Sequence, residues 1–102
     1  MNWNEPQMER LIQAILSLET TNEAERFLRD LMTEREIEEF AKRLRAAEML
    51  ADKESYVTIE KETGLSSATI ARVAKWLGGN LNGYKSVIQK MHHHSTNQSR
   101  RV

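Results

Sequence analysis

The chain has 102 residues, no cysteine and a formal net charge of zero. Its length predicts one domain with a small core, of which a second subunit would bury more. The lack of cysteine excludes disulfides and thiolate metal sites, and no apolar run approaches the roughly 18 residues of a membrane span. Glu5 and Glu9 interrupt any apolar stretch at the N-terminus, so we expect no signal peptide, no membrane partner and a cytoplasmic location.

The zero net charge conceals an asymmetry between the two halves of the chain. Residues 1–55 hold 8 Lys and Arg against 13 Asp and Glu, whereas residues 56–102 hold 7 against 2. A basic half indicates contact with nucleic acid, although a solvated surface without a specific partner would carry the same charge.

The hydrophobic periodicity predicts an all-α protein of about six helices, since no segment shows the period-two alternation of a strand. Asn4 is the expected cap of a first helix, and Pro6 is tolerated in its first turn. Thr20 and Asn22 both offer capping signals for a second helix. Helical spacing in these two segments leaves one apolar face on each helix.

A capping box of Thr33 and Glu36 predicts a long third helix over roughly residues 34–52. Its inward face is expected to consist of Ile37, Phe40, Ala41, Leu44, Ala47 and Ala51. A last helix over about residues 84–91 precedes the polar segment 92–102, which we expect to be a disordered tail. The helices together predict a single domain over residues 1–91.

The stretch 56-YVTIEKETGLSSATIARVAKWLGG-79 predicts two helices joined by a turn at Gly64, a helix-turn-helix over about residues 56–78. Gly64 can adopt a left-handed conformation without a Cβ clash. The residues expected to hold the two helices at a fixed angle are apolar, namely Ile59, Leu65, Ile70 and Val73. The pattern is typical of a hairpin that reads DNA, although helical hairpins also close ordinary bundles.

Small and polar residues on the outer face of this hairpin predict contacts with double-stranded DNA. Ser67, Ala68 and Ala71 are expected nearest the bases, because small side chains allow a close approach. Lys61 and Lys75 are expected at phosphates, together with backbone amides at the start of the second helix. The full predicted DNA-binding set is Thr58, Lys61, Ser66, Ser67, Ala68, Thr69, Ala71, Arg72 and Lys75.

Two segments carry a resemblance to a known family: 31-LMTEREIEEFAKRLRAAEML-50, with Arg43 and Arg45 on the long helix, and 62-ETGLSSATIARV-73. In these segments the chain resembles the core of the tryptophan repressor family, and most of all its YerC/YecD-type relatives. The resemblance implies a bacterial transcription regulator, an intertwined homodimer and two reading helices that address a palindromic operator.

The resemblance also implies where a small-molecule effector would bind. In the tryptophan repressor two arginines enclose the indole of the corepressor beside a threonine, and Arg43, Arg72 and Thr33 match these positions. Val73 stands where the repressor has a glycine, and Trp76 where it has a serine. Because overfilling a shaped site is costly, we expect a blocked pocket and no response to tryptophan.

Several conspicuous residues also have plainer interpretations. Arg43 and Arg72 can pair with glutamates or phosphates, and Trp76 suits a core or a dimer interface. His92, His93 and His94 are adjacent on a polar segment, whereas zinc sites need ligands that converge from a folded scaffold. We therefore predict no metal and no cofactor.

The sequence offers two functions of different classes, and neither is an enzyme, because no catalytic constellation is visible. The first is a sequence-specific regulator, a repressor by resemblance, that binds DNA as a homodimer. The alternative is a dimeric protein-interaction or scaffold module that has lost DNA binding. Basic residues beside the second helix, such as Lys61, Arg72, Lys75 and Lys85, favour the first.

Overall fold

The computed structural model describes residues 1–100, with side chains described for residues 1–92. This part of the chain contains six α-helices and no strand, which confirms the predicted all-α class. The helices are α1 (Pro6–Leu16), α2 (Thr21–Leu31), α3 (Glu34–Ala51), α4 (Tyr56–Thr63), α5 (Ser67–Leu77) and α6 (Gly83–Arg100). Over the same residues, no helix is both long and apolar enough to cross a membrane.

The helices fall into two compact units, Met1–Ile37 and Glu38–Val102, with the boundary inside α3. The first unit contains α1, α2 and the first turn of α3. The second contains the rest of α3 and the helices that follow it. The single domain expected over residues 1–91 remains a prediction.

In the first unit, local signals set the starts of the helices. Pro6 occupies the first position of α1, so the residue directly before it, Glu5, is the N-cap, and it makes no side-chain cap hydrogen bond. The predicted Asn4 cap is therefore wrong. α2 begins as predicted, because the Thr20 hydroxyl accepts a hydrogen bond from the Glu23 amide at 3.1 Å.

The apolar faces of α1 and α2 are not buried. Neither helix contains a buried side chain. Ile15 is 47% exposed and Leu16 is 77% exposed. The predicted apolar faces are therefore present but only partly covered within the described chain, where Leu11 and Phe27 are half-buried.

The capping box at the start of α3 is present. The Thr33 hydroxyl accepts from the Glu36 amide at 3.1 Å, and Glu36 Oε1 accepts from the Thr33 amide at 2.9 Å. The Thr33 amide and hydroxyl both donate to the Glu36 carboxylate and lower its pKa, because they stabilise the charged form.

The inward face of α3 differs from its prediction. Ala47 is buried, whereas Ile37 and Leu44 are only half-buried. The remaining expected positions, Phe40, Ala41 and Ala51, are exposed. The cause is that α3 joins the core of the second unit only from Ala46 onward.

Among the described side chains, the core of the second unit consists of seven buried apolar residues. Ala46, Ala47 and Met49 come from α3, and Ile59, Leu65, Ile70 and Val73 come from the hairpin. Ile59 and Ile70 are fully buried, at 0% exposure. Burying an aliphatic side chain of this size contributes about 1.5–3 kcal/mol, so one isoleucine from each helix anchors the hairpin. The predicted apolar lock of the hairpin is confirmed residue by residue.

The end of α3 adopts the hydrogen-bond pattern of a Schellman motif. The Glu54 amide donates to the Met49 carbonyl at 3.0 Å, and the Lys53 amide donates to the Leu50 carbonyl at 3.0 Å. Lys53 has a φ of 64°, in the left-handed region that favours glycine. The chain therefore turns from α3 toward α4 through a strained lysine.

The last helix extends beyond its predicted end. The sequence analysis ends it near Met91 and expects a disordered tail over 92–102, but α6 continues to Arg100. The physical reason is that no glycine or proline follows Gly83, so no residue interrupts the helical backbone. Arg101 and Val102 lie outside the described residues.

Candidate nucleic-acid interface

The turn between α4 and α5 depends on two residues, Thr63 and Gly64. Gly64 closes α4 with a φ of 75°, and its amide donates to the Glu60 carbonyl at 2.8 Å. The buried Thr63 hydroxyl donates to the Ile59 carbonyl at 2.7 Å and accepts from the Leu65 amide at 3.2 Å. The Thr63 hydroxyl thus pairs with one backbone acceptor and one backbone donor at the turn. These two hydrogen bonds hold the two helices in a defined geometry.

The N-terminus of α5 is capped by Ser66, whose hydroxyl oxygen accepts from the Thr69 amide at 3.2 Å. The Ile70 amide donates to the Ser66 carbonyl at 3.0 Å. In the described structure the amides of Ser67 and Ala68 have no such partner, as is usual at a helix start. These two N–H groups, at the positive end of the helix dipole, suit an anionic oxygen such as that of a phosphate.

The predicted DNA-binding residues lie on α4, on α5 and at the turn between them. Eight of them are exposed, namely Thr58, Lys61, Ser66, Ser67, Ala68, Ala71, Arg72 and Lys75. Thr69 is half-buried, and its hydroxyl accepts from the Ser66 hydroxyl at 3.1 Å. Thr69 is therefore committed to the cap rather than to the outer surface.

The positively charged side chains of the hairpin form no ion pairs within the described chain. Across the residues with described side chains, Arg43 pairs with Glu39, and Arg45 pairs with Glu62. Lys61, Arg72 and Lys75 form no ion pair in that part of the chain. Three positive charges on the outer face thus remain available to a polyanion.

Two of the positions implied for an effector make local contacts. Thr33 belongs to the capping box of α3. Arg43 Nε lies 3.6 Å from Glu39 Oε1, and its guanidinium lies 5.7 Å from the centre of the Phe40 ring. That nitrogen is buried and has no hydrogen-bond partner, because the ion-pair distance exceeds hydrogen-bonding range. Of the two arginines expected to pair with glutamates or phosphates, Arg43 pairs with Glu39, whereas Arg72 forms no ion pair among the described side chains.

Val73 and Trp76 lie in different environments. Val73 belongs to the core and is 3% exposed. Trp76 is 54% exposed, so it is not part of the core of its own chain. It lines an apolar cavity of about 470 Å³ together with Leu44, Leu81, Gly83, Tyr84 and Val87.

Sequence reasoning missed a contact between α3 and α4. Arg45 Nη2 and Nε donate to Glu62 Oε1 at 3.0 and 3.2 Å. The hydrogen bond that Arg45 donates to Glu62, and then the negative charge of that carboxylate, raise the pKa of Arg45. The two residues are 17 positions apart, so no helical spacing could have signalled the pair.

Metal ligands do not converge in the described part of the chain. Among those residues, no group of three or more His, Cys, Asp or Glu could hold a metal ion. The side chains of His93 and His94 lie outside the described residues, so the expectation for the histidine run remains a prediction.

Comparison with known proteins places most of the chain in one family. The family model described as Trp repressor protein matches residues 6–92. The Bacillus subtilis protein YerC, which is uncharacterized, is 38% identical over 93 residues, covering 91% of this chain and 89% of YerC.

Two solved structures extend the similarity to three dimensions. A TrpR-like protein from Eubacterium eligens superposes with a TM-score of 0.84 at 38% identity, over 88% of this chain and 93% of that one. A candidate Trp repressor from Staphylococcus aureus gives 0.82 at 36% identity, over 90% and 95% of the two chains. The chain therefore belongs to the Trp repressor family, as a protein of the YerC type.

Proposed function

We propose that this protein is a sequence-specific DNA-binding transcriptional regulator, acting as a repressor and as a homodimer on a palindromic operator. The observation that carries the proposal is the outer face of the hairpin, where small side chains lie beside Lys61, Arg72 and Lys75, none of them in an ion pair within the described chain. The function is binding without catalysis, and we infer a cytoplasmic location.

Base recognition is assigned to the first two turns of α5. Ser67, Ala68 and Ala71 are exposed and short, so the backbone of α5 can approach the floor of the major groove. The Ser67 hydroxyl makes no hydrogen bond to the described side chains or backbone, which leaves it able to donate to or accept from a base edge.

Phosphate binding is assigned to Lys61 and Lys75, together with the Ser67 and Ala68 amides. Lys61 lies in the last turn of α4 and Lys75 in the last turn of α5. Contacts of this kind set the register and much of the affinity but carry no sequence information. Arg72, on the same exposed face, is long enough to serve either role.

The proposed dimer is supported by the apolar surface that the single chain leaves uncovered. α1 and α2 bury no side chain, and Phe40 and Val87 are each about half exposed. Apolar side chains left exposed on several helices support their burial against a second subunit. In a dimer on one face of the duplex, the two α5 helices would meet half-sites about 34 Å apart.

We further propose that the regulator does not respond to tryptophan. The burial of Val73 supports this, because its side chain occupies space within the core. The pocket by resemblance includes Thr33, Arg43, Arg72, Val73 and Trp76, and Trp76 is an indole where the tryptophan repressor has a small hydroxyl. Titration calorimetry with L-tryptophan is expected to give no saturable heat, and clear binding would contradict a blocked pocket.

The deciding experiment is selection of bound fragments from a random duplex library. A palindromic consensus should emerge, and fluorescence anisotropy should give tighter binding to it than to a scrambled duplex. Sedimentation at micromolar concentration should show about twice the chain mass of 11.8 kDa. A dimer that enriches no sequence and binds neither duplex would favour the scaffold function instead.

A further inference from the structure

The ion pair between Arg45 and Glu62 is the one that joins two helices among the described side chains, since the pair of Arg43 and Glu39 lies within α3. Both of its members are about half exposed. Two guanidinium nitrogens donate to the same carboxylate oxygen, so the Arg45 side chain is held in one orientation across α3 and α4.

The position of Glu62 on α4 is unfavourable in isolation. It lies in the last turn of the helix, directly before Thr63. A carboxylate at that end faces the negative end of the helix dipole, which favours cations instead. The guanidinium of Arg45 offsets this repulsion, and the favourable interaction is mutual, because Glu62 raises the pKa of Arg45.

The ion pair also restricts the tilt of α4 against α3, which the core contacts leave weakly constrained. α4 contributes one apolar side chain to the core, Ile59, and one buried polar side chain, Thr63. Apolar contact is non-directional, and the Thr63 hydrogen bonds orient α4 toward α5, so neither contact fixes the tilt of α4 against α3 directly. The hydrogen-bonded contact at Glu62 supplies a second, directional point of attachment to α3.

We propose that Arg45 and Glu62 are positioning residues for DNA recognition: their ion pair fixes the orientation of α4 on α3, and hence the angle at which α5 meets the major groove. The transmission is short, because α4 connects to α5 through Gly64 and the hydrogen bonds of Thr63. The inference rests on the proposed function, since it concerns how the same interface is held.

For the loss of the Glu62 carboxylate, the proposal predicts a change in DNA affinity opposite to the one that simple electrostatics predicts. Removing a carboxylate from a DNA-binding helix lowers repulsion of phosphates and should tighten binding. Glu60 provides the matched control, because it lies on the same helix and forms no ion pair within the described chain. Positioning instead predicts that the loss of Glu62 weakens recognition although it removes the same charge.

The first test measures anisotropy with the selected duplex for the parent, Glu62→Ala and Glu60→Ala. Glu62→Ala is expected to bind about two- to five-fold more weakly, as for a surface ion pair, while Glu60→Ala binds as tightly as the parent or more tightly. If Glu62→Ala tightens binding as Glu60→Ala does, the positioning role is overturned. Circular dichroism melting checks that each variant is folded.

The second test does not involve DNA. Amide hydrogen exchange is expected to be several-fold faster in α4 of Arg45→Ala and of Glu62→Ala than in the parent, and the double variant should add little to either. Unchanged exchange of α4 would overturn the proposal by itself. If the parent binds no duplex, the proposed function fails, and the exchange data still decide whether the pair orients α4.

Discussion

Helices α5 and α1 have the same length of 11 residues and are both amphipathic, but they use their apolar faces differently. α5 buries Ile70 and Val73 in the core of its own chain. α1 buries no side chain, and Ile15 and Leu16 remain exposed. The polar face of α5 is thus presented by a closed hairpin, whereas the apolar face of α1 remains open.

The difference teaches that amphipathicity alone does not identify the surface a helix packs against. When the apolar face of a helix is buried in the core, the polar face on its other side is held in a defined position. This suits recognition of a rigid partner such as a duplex. An open apolar face is suited to a second protein surface, which is consistent with its place in the proposed dimer. The two helices therefore predict two separable kinds of mutational effect.

The largest effect is expected at Ala68, on the polar face of α5. Ala68 is exposed, so Ala68→Leu should leave the fold intact and place added bulk at the groove floor. Binding to the selected duplex should fall by about a thousand-fold or more, to the level of the scrambled duplex. Anisotropy titrations against both duplexes measure this ratio, and an unchanged ratio would show that α5 is not the reading element.

The next largest effect is a difference in stability between variants that shorten a side chain on the buried apolar face of α5 and on the exposed apolar face of α1. Ile70→Ala empties a fully buried site and should lower the free energy of unfolding by about 2–5 kcal/mol. Ile15→Ala removes an exposed side chain, so the cost within the isolated chain should stay within about 0.5 kcal/mol.

The measurements that distinguish these two variants are urea unfolding and sedimentation. Ile70→Ala should shift the urea midpoint, whereas Ile15→Ala should raise the concentration at which the dimer forms. An Ile15→Ala variant that dimerises at the same concentration as the parent would contradict the proposed place of α1 in the interface.

A smaller effect is expected from the cations that flank α5. Lys75→Ala should weaken binding to all duplexes alike, and the slope of log affinity against log salt should fall by about one unit per half-site. Lys90→Ala is the control, because it removes the same charge from an exposed position on α6. Equal losses in the two variants would mean that net charge, rather than a located phosphate contact, governs binding.

The smallest effects are expected at the two left-handed turns that flank α4. Gly64→Ala should destabilise the fold by about 1 kcal/mol, from backbone strain alone, because an added Cβ meets nothing within 4 Å. Lys53→Gly should stabilise it by about 0.5–1 kcal/mol, because it relieves the same strain at a φ of 64°. Thermal melting of both variants should show shifts of opposite sign, and shifts of the same sign would contradict this account.

Local chemistry made much of the fold predictable from the sequence. The cap of α2 by Thr20 and the capping box of Thr33 and Glu36 involve residues within one helical turn, so a short window contains the whole interaction. The hairpin was predictable for a related reason, since Gly64 and the apolar spacing of Ile59 and Ile70 specify the turn and its buried side together.

Contacts between distant residues were decided only by the tertiary structure. Periodicity marks an apolar face on α1 as clearly as on α5, but burial depends on what covers that face, and this is not encoded within the helix itself. The pair of Arg45 and Glu62 and the half exposure of Trp76 arise in the same way, because each depends on how α3 packs beside the hairpin. The sequence determined which helices form and which side of the hairpin is polar, whereas packing determined which surfaces remain exposed for the proposed DNA and dimer contacts.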